Sequence, residues 1–417
     1  MDLTMNLLLA IATFVVAVMG DITHVLDEIN VERKTELKKL PESLQEDAKL
    51  STSEMIKKYG YPCEDHTVVS KDGYVLKMHR IPYGRSGPSN NRSAVYVQHG
   101  FLCSSVDWII SGPGKALGYY LADAGYDVWL GNVRGNTYSR KHTKWDPKKD
   151  AKQFWDFSWH EIGMDDIPTM VDYVRKQTGQ DKIFYIGHSQ GTTVSYVMLS
   201  QKTEYNSKFR AVISLAPIAY MGRVTSPFLK TFSLFEHYTE WIVNMLNIYE
   251  FLPRTGNVAA AGGWLCKHSM FQKLCAESLF TLCGYNREQM NITLVPVIMS
   301  HTPAGASIKQ FLHFVQEINS EKFRQWDYGI VYNRVKYKRW SPPDYELENV
   351  KAPVYLYYTH NDWLAHVEDV EKLASELGNL KGKFLCSDKN FNHIDYMYGI
   401  DAPTLVYNDI LETMKKH

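Results

Sequence analysis

Short apolar runs with strand character alternate along the chain with amphipathic stretches of helical period. The runs at residues 94–98, 183–186, 211–215 and 352–358 each end in a polar or glycine-containing turn. Residues 192–199, after one of these turns, suit a helix, as does the charged stretch 367–377. Strands and helices in this order predict an α/β protein with a mostly parallel sheet.

The turn after residues 183–186 reads Gly187, His188, Ser189, Gln190, Gly191. A serine between two glycines at a strand-to-helix turn is typical of a nucleophile elbow, because the turn exposes the hydroxyl and the glycines let crowded backbones pass. The five-residue pattern alone fits many loops by chance. The strand before it and the helix after it favour Ser189 as a nucleophile.

A nucleophile elbow requires an acid and then a histidine further along the chain. Asp362 lies in the polar turn after a late apolar run, and His393 lies in a loop near the end of the chain. Asp395 is the competing carboxylate, but its place two residues from His393 suits hydrogen bonds to the loop backbone. Glu368 and Asp369 belong to a charged amphipathic stretch, and we expect them on a solvated helix face.

The apolar run 94–98 leads into a loop that contains His99, Gly100 and Leu102. The small Gly100 lets a backbone N–H group turn toward the site. We expect the N–H groups of Leu102 and Gln190 to form an oxyanion hole, since negative charge develops on the carbonyl oxygen in the transition state. We expect His99 to be a hydrogen-bonded structural histidine, because the hole needs only backbone donors.

Further motifs extend this pattern over most of the chain. They are residues 59–62, 72–75, 80–82, 98–102, 122–131, 134–136, 187–193, 303–305, 362–365 and 392–396. With these pieces in one order, the chain from about Met55 to its end resembles the acid lipase family, which includes gastric lipase and lysosomal acid lipase.

The resemblance implies an α/β-hydrolase fold, with a mostly parallel central sheet, helices on both of its faces and an inserted, mainly helical cap. In the family, the residues that match Ser189, Asp362 and His393 form the triad. Those that match Leu102 and Gln190 supply the oxyanion hole. The resemblance therefore selects the same five residues as the pattern.

The wide interval between the elbow and Asp362 must hold more than one crossover helix, in a chain of 417 residues. We expect the α/β-hydrolase core at residues 55–217 and 349–417, and a cap or lid insertion at 218–348. Aromatic residues such as Phe228 and Phe232 recur there at helical spacing. Most should pack the cap on the core, while a minority face substrate under a movable lid.

The first residues indicate a secreted protein. Residues 7–19 are largely apolar but too short to span a membrane, so residues 1–20 are predicted as a signal peptide. The charged stretch 21–54 is an N-terminal arm or a propeptide. The sequons at Asn91 and Asn291 predict glycosylation, with secretion and lysosomal residence both open. No transmembrane segment is expected after signal removal.

The six cysteines contain no C-x-x-C pair that would suggest zinc, and no metal site is expected. From the resemblance, Cys266 and Cys275 match a cap disulfide of the family and Cys283 matches its free thiol. Such a short ring would restrict the unfolded chain by roughly 2.5 kcal/mol in the loop-entropy model. Three other cysteines are expected as buried thiols: Cys63, Cys103 and Cys386.

The charge balance argues against a nucleic-acid partner, because 46 basic residues match 46 acidic ones. No cofactor is expected, since the chain has neither a Walker-type phosphate loop nor a dinucleotide fingerprint.

These features predict a serine lipase that hydrolyses neutral lipid esters, such as triacylglycerols or sterol esters, at an oil–water or membrane interface. A carboxylesterase acting on small soluble esters needs the same triad and differs only in its cleft. A non-catalytic lipid carrier is a further alternative, against which the three triad residue types argue. Epoxide hydrolases and dehalogenases use an aspartate where this chain has Ser189.

Overall fold

The computed structural model describes residues 41–236, 243, 245–252 and 279–417. The predicted signal peptide (1–20), the first part of the predicted arm (21–40) and the predicted disulfide cysteines Cys266 and Cys275 lie outside the described residues.

In the described residues, nine strands form one sheet and two more form a small antiparallel ribbon. The strands are β1 (Glu64–Val69), β2 (Tyr74–Ile81), β3 (Ala94–Gln98), β4 (Asp127–Gly131), β5 (Lys141–His142), β6 (Ile183–His188), β7 (Phe209–Leu215), β8 (Glu250–Phe251), β9 (Ala306–Ser307), β10 (Val354–Tyr358) and β11 (Leu380–Leu385). The ribbon pairs β8 with β9.

The large sheet runs in the order β1-β2-β4-β3-β6-β7-β10-β11, with β5 paired to β2. From β4 to β11 all neighbours are parallel, whereas β1, β2 and β5 add an antiparallel edge. Every residue of β3, β4, β6 and β10 is buried. Strands that are buried throughout lie in a sheet covered on both faces, which confirms the predicted fold class.

Helices alternate with these strands. They are α1 (Glu42–Asp47), α2 (Thr52–Lys58), α3 (Leu117–Asp123), α4 (Ala151–Phe154), α5 (Trp159–Glu161), α6 (Ile167–Thr178), α7 (Gln190–Gln201), α8 (Pro227–Leu234), α9 (Val295–His301), α10 (Ile308–Ser320), α11 (Ile330–Tyr337), α12 (Val367–Glu376), α13 (Asp395–Tyr398) and α14 (Asn408–Met414). A π-helical turn, Ile162–Asp166, joins α5 to α6. The helices predicted at 192–199 and 367–377 are confirmed as α7 and α12.

The stretch predicted as a cap, residues 218–348, lies between β7 and β10. Its described part contains α8 to α11 and the ribbon of β8 and β9. The exact division into core and cap at residues 217 and 349 stays a prediction.

Two expectations about individual side chains are wrong. Glu368 is exposed as expected, but Asp369 is only 3% exposed and its carboxylate accepts a hydrogen bond from the N–H of Arg223 at 2.8 Å. The periodicity of α12 did not reveal that the loop around Arg223 packs on this helix. Among the thiols, Cys103 is buried, whereas Cys63 and Cys386 are only half-buried, and Cys283 is a buried free thiol.

A buried ion network fixes the loop after β4. The Arg134 side chain is 1% exposed, and its Nε and Nη2 lie 2.8 and 2.6 Å from Oδ1 of Asp166. Its other nitrogen, Nη1, donates to Asp72 at 2.5 Å. Burial raises the pKa of Asp166 to about 6, although Arg134 opposes this shift. The guanidinium therefore keeps a fully buried carboxylate ionised at neutral pH.

Replacing the guanidinium by an apolar chain of similar length should destabilise the protein in a pH-dependent way. We expect Arg134→Met to lower the free energy of unfolding by about 3–5 kcal/mol at neutral pH, because a buried charge loses its partner. Without Arg134 the folded-state pKa of Asp166 rises further, so the folded state binds a proton that the unfolded state does not. The loss should shrink as the pH falls through that pKa. Urea unfolding at neutral and mildly acidic pH measures this, and an equal loss at both would contradict it.

Candidate active site

Ser189 occupies the tight turn between β6 and α7. Its backbone has φ 53° and ψ −122°, a conformation that a residue with a side chain adopts only under constraint. The Ser189 N–H donates to the carbonyl of Leu215 at 3.0 Å, and the Ser189 carbonyl accepts from the Thr192 hydroxyl at 2.7 Å. These bonds, one to β7 and one to α7, hold the turn in place.

The glycines around Ser189 are required by close backbone approach. A Cβ on Gly191 would lie 2.4 Å from the carbonyl oxygen of Gln98, and a Cβ on Gly187 would lie 2.7 Å from the backbone of Gly191. A Cβ on Gly100 would lie 3.1 Å from Cβ of Ser189. The elbow thus packs directly against the end of β3 and the loop that follows it.

The predicted acid and base lie together. Nδ1 of His393 is 2.8 Å from Oδ2 of Asp362, and both side chains are buried. The other carboxylate oxygen, Oδ1, accepts the N–H groups of Leu364 and Ala365 at 2.9 and 2.8 Å. The turn after β10 therefore holds Asp362 through Oδ1, and Oδ2 fixes the orientation of the His393 imidazole.

His188 joins the elbow to the base, which the sequence did not reveal. Its Nε2 lies 2.7 Å from the carbonyl oxygen of His393, and the two rings are 4.9 Å apart. Since a carbonyl only accepts, Nε2 carries the proton. Burial, and then the neighbouring His393, lower the pKa of His188 to about 3, so this ring is a neutral donor. The Gly-x-Ser-x-Gly pattern leaves this position open and gave no signal for it.

Asp395 lies close to His393 in sequence but bonds elsewhere. Its Oδ2 accepts the Asn392 N–H and the Asn286 side chain, both at 2.8 Å. Burial raises the pKa of Asp395 to about 7. These bonds agree with the expected role of Asp395 in its own loop, and the carboxylate bonded to His393 is Asp362.

The residues predicted for the oxyanion hole flank Ser189. Leu102 has φ 61° and lines the same cavity as Ser189. Its carbonyl oxygen accepts the Ala304 N–H at 2.7 Å. Gln190 is the first residue of α7, where a backbone N–H has no partner within the helix. Its side chain donates to Gln310 at 2.8 Å, which ties the elbow to α10.

His99 is the first residue after β3, and its ring is held between its own loop and the loop that follows β4. Nδ1 lies 2.8 Å from the Gly100 carbonyl, and Nε2 accepts the Val133 N–H at 3.3 Å and the Asn136 amide at 3.2 Å. Burial lowers the pKa of His99 to about 4. All these bonds go to backbone or amide groups, as expected for a structural histidine.

Ser189 opens on an apolar cavity of about 680 Å³. The other lining residues are Phe101, Leu102, Ile218, Met221, Phe228, Leu229, Phe251, Leu252, Thr281, Leu282, Phe311, Phe314 and Leu364. Phe228 and Leu229 belong to α8, so some of the apolar residues predicted for the cap do face this space. In the described part of the chain, no three His, Cys, Asp or Glu side chains are grouped so as to hold a metal ion.

Comparisons with known proteins agree with this geometry. The model of the alpha/beta hydrolase fold family matches residues 93–400, and that of a partial alpha/beta-hydrolase lipase region matches residues 52–112. The chain therefore belongs to the α/β-hydrolase family.

Its relatives include lipases of flies and mammals. It is 45% identical to Lipase 3 of Drosophila melanogaster over 87% of this chain and 92% of that protein. It is 36% identical to the lysosomal acid lipase/cholesteryl ester hydrolase of Homo sapiens, over 88% of this chain and 91% of that protein. It is 37% identical to the gastric triacylglycerol lipase of Rattus norvegicus, over 88% and 92%. The resemblance to acid lipases is thus confirmed.

Among solved structures, an acetylester hydrolase from Corynebacterium glutamicum matches 88% of this chain and 99% of its own, with a TM-score of 0.51 and 15% identity, which supports the fold.

None of the helices in the described residues has the length and apolar character needed to cross a membrane.

Adding one methyl group at Gly191 tests whether activity depends on the close approach of the elbow to Gln98. To reach an ordinary contact of 3.4 Å, the Cβ of Gly191→Ala and the Gln98 carbonyl must separate by about 1 Å. We expect about a hundredfold lower kcat, because displacement of a reacting group by this amount is costly. Gly179→Ala is the control, since its Cβ meets open space at φ 66°. It should cost about 1 kcal/mol of stability and leave kcat unchanged. Equal kcat in both variants would contradict this account.

Two amide substitutions distinguish the roles of the two carboxylates near His393. Asp362→Asn removes the acceptor for Nδ1–H, and we expect kcat to fall about 10⁴-fold on any ester. Asp395→Asn keeps an oxygen that can accept from Asn392 and Asn286, so its effect on kcat should be small. Steady-state hydrolysis of a soluble ester measures both, and a larger loss in Asp395→Asn would overturn the assignment.

Proposed function

We propose that this protein is a serine lipase that hydrolyses carboxylic ester bonds of neutral lipids, with triacylglycerols and sterol esters as the substrate class. The observation that carries the proposal is the position of Ser189, at a constrained turn that opens on an apolar cavity. The names of the fly and mammalian relatives, which include a triacylglycerol lipase and a cholesteryl ester hydrolase, agree with it.

In the proposed mechanism, His393 removes the proton from the Ser189 hydroxyl as the serine oxygen attacks the ester carbonyl. Asp362 holds the imidazole through Nδ1–H and stabilises its positive charge once the proton has moved. The N–H groups of Leu102 and Gln190 donate to the oxyanion, and the start of α7 adds a favourable dipole.

His393 then returns its proton to the leaving alcohol, and the acyl group stays on Ser189. In the second half of the reaction His393 takes a proton from water as the water attacks the acyl-enzyme. The bond from the acyl carbon to Ser189 then breaks, His393 returns the proton to the serine oxygen, and the fatty acid leaves. His188 keeps the loop of His393 in place throughout, because its neutral ring donates to the His393 carbonyl.

The cavity lining favours long apolar acyl groups over small polar ones. Phe101 stacks on Phe251, which in turn stacks on Phe311, with ring centroids 5.8 and 4.6 Å apart. These rings form a continuous wall beside Ser189, and burying an acyl chain against it releases water from both surfaces. A carboxylesterase that acts on small soluble esters remains the alternative, because the catalytic groups are the same.

We propose that the protein acts outside the cytosol, secreted or in lysosomes. The sequons at Asn91 and Asn291 are both exposed, so each side chain is accessible to a glycan. Its relatives include a lysosomal and a gastric lipase.

A substrate comparison tests the proposed activity. We expect the protein to hydrolyse emulsified trioleoylglycerol or cholesteryl oleate faster than a soluble short-chain ester. Ser189→Ala should lose all acyl-enzyme chemistry, a fall of at least about 10⁴-fold. Ser195→Ala is the matched control, since Ser195 lies on α7 and its hydroxyl donates to the Thr192 carbonyl of the same helix. Cleavage of the soluble ester alone would favour the esterase, and lipid binding without turnover would favour the carrier.

A further inference from the structure

Residues 325–343 form an excursion from the fold that is closed at its base. Arg324 pairs with Asp344 as an antiparallel bridge, and the Gln325 N–H donates to the Pro343 carbonyl at 3.0 Å. Just beyond this bridge, on the side away from the excursion, the Tyr345 N–H donates to the Phe323 carbonyl at 3.0 Å. The excursion carries the helix α11 and ends in two prolines, Pro342 and Pro343.

The buried side of helix α11 contacts the rest of the excursion through polar groups, whereas its apolar side chains face the solvent. Asn333 is 1% exposed, accepts the Tyr328 N–H at 3.0 Å and donates to Asp327 at 2.8 Å. Tyr337, one turn later, donates its hydroxyl to the Trp326 carbonyl at 2.9 Å. A surface helix of a globular protein ordinarily buries its apolar stripe, so this arrangement is reversed.

The outer face of α11 is a ridge of large apolar side chains. At 100° per residue, Val331, Tyr332 and Val335 lie on the side opposite Asn333 and Tyr337. They are 71%, 69% and 65% exposed, and two further exposed residues, Ile330 and Trp340, lie at the ends of the segment. Contiguous apolar exposure of this kind marks a binding surface rather than ordinary surface variation.

Cations flank this ridge. Arg334 and Lys336 lie on either side of it, Lys338 and Arg339 follow, and no acidic residue occurs between positions 329 and 341. Within the described chain, none of the four has a carboxylate partner within 4 Å. Arg334 instead donates to the Lys338 carbonyl at 2.6 Å and lies 5.2 Å from the Trp340 ring.

The geometry points to α11 and Trp340 as an anchor for an anionic lipid surface. An apolar ridge with cations along both flanks fits the boundary of a lipid layer, where alkyl and aromatic groups enter the acyl region and the long basic side chains reach the headgroups. Each basic residue near such a surface adds to the attraction.

This surface is separate from the cavity. The helix α10 lies between them, with Phe311 and Phe314 lining the cavity. From other positions of the same helix, His313 lies 3.1 Å from the Arg324 carbonyl and Gln316 donates to the Asp327 carbonyl at 3.0 Å, both in or beside the excursion. The proposed lipid anchor and the cavity therefore lie on different sides of α10, so lipid binding and ester hydrolysis can be measured independently.

A second copy of the chain fits the ridge poorly. In a two-fold interface the same patch faces itself, so the four cations of one copy would meet the four cations of the other. Like charges at an interface oppose association. An anionic lipid surface instead satisfies the apolar and the charged groups together.

The test is binding of the full protein to vesicles of ether-linked phosphatidylcholine, with and without ether-linked phosphatidylglycerol. These lipids contain no carboxylic ester, so the result does not depend on hydrolysis. We expect tighter binding to the anionic vesicles. Arg334→Gln with Lys336→Gln should weaken that binding about 25-fold, at about fivefold for each basic residue. Val331→Ser with Val335→Ser should weaken binding to both kinds of vesicle at least about tenfold.

Matched controls lie on other surfaces. Lys148→Gln with Lys149→Gln removes two exposed cations, and Val69→Ser removes a side chain that is 52% exposed on β1. Both controls should bind as the wild type does, and every variant should retain its soluble-ester activity and melting temperature. Undiminished binding by the α11 variants, equal losses in the controls, or no wild-type binding to anionic vesicles would overturn the proposal. So would a wild-type dimer that the apolar variant dissociates in sedimentation, because it would assign the ridge to a second copy.

Discussion

The site depends on how closely the elbow approaches the end of β3. Gly191 leaves no room for a Cβ beside the Gln98 carbonyl, and Gly100 leaves little beside Ser189. This contact puts the loop of Leu102 next to the start of α7, so the proposed nucleophile and the proposed oxyanion donors share one backbone arrangement. Ser189 is held in an unfavourable conformation because β7 and α7 fix the turn from both sides.

The other proposed catalytic groups are oriented through backbone atoms. Asp362 accepts two N–H groups of its own turn, and His188 donates to the carbonyl of His393. Each of these bonds has one main-chain partner, which stays in place when other neighbouring side chains are exchanged. The cavity walls are consequently free to differ in shape while the geometry of the proposed triad stays the same.

The sequence predicted the parts of the molecule that local pattern determines. The run 94–98 coincides with β3, and the order of Ser189, Asp362 and His393 led to an aspartate and a histidine that do lie 2.8 Å apart. What it missed depends on contacts between distant segments. The burial of Asp369 comes from the loop of Arg223, and the role of His188 comes from a loop 205 positions away. The outward apolar face of α11 was equally hidden, because apolar spacing does not show that polar Asn333 is the buried residue.

Two carboxyl groups described above also bear on how the fold responds to acidification. Burial raises the pKa of Asp395 to about 7 and that of Asp166 to about 6, above the values of an unfolded chain. Between its unfolded and folded pKa values, each of these two carboxyl groups binds more protons in the native protein than in the unfolded chain. Proton uptake therefore favours the native state as the pH falls through this interval. Asp395 and Asp166 therefore contribute stability that grows as the pH falls, which is opposite to the contribution of Asp72, whose ion pair with Arg134 holds its pKa below the usual value.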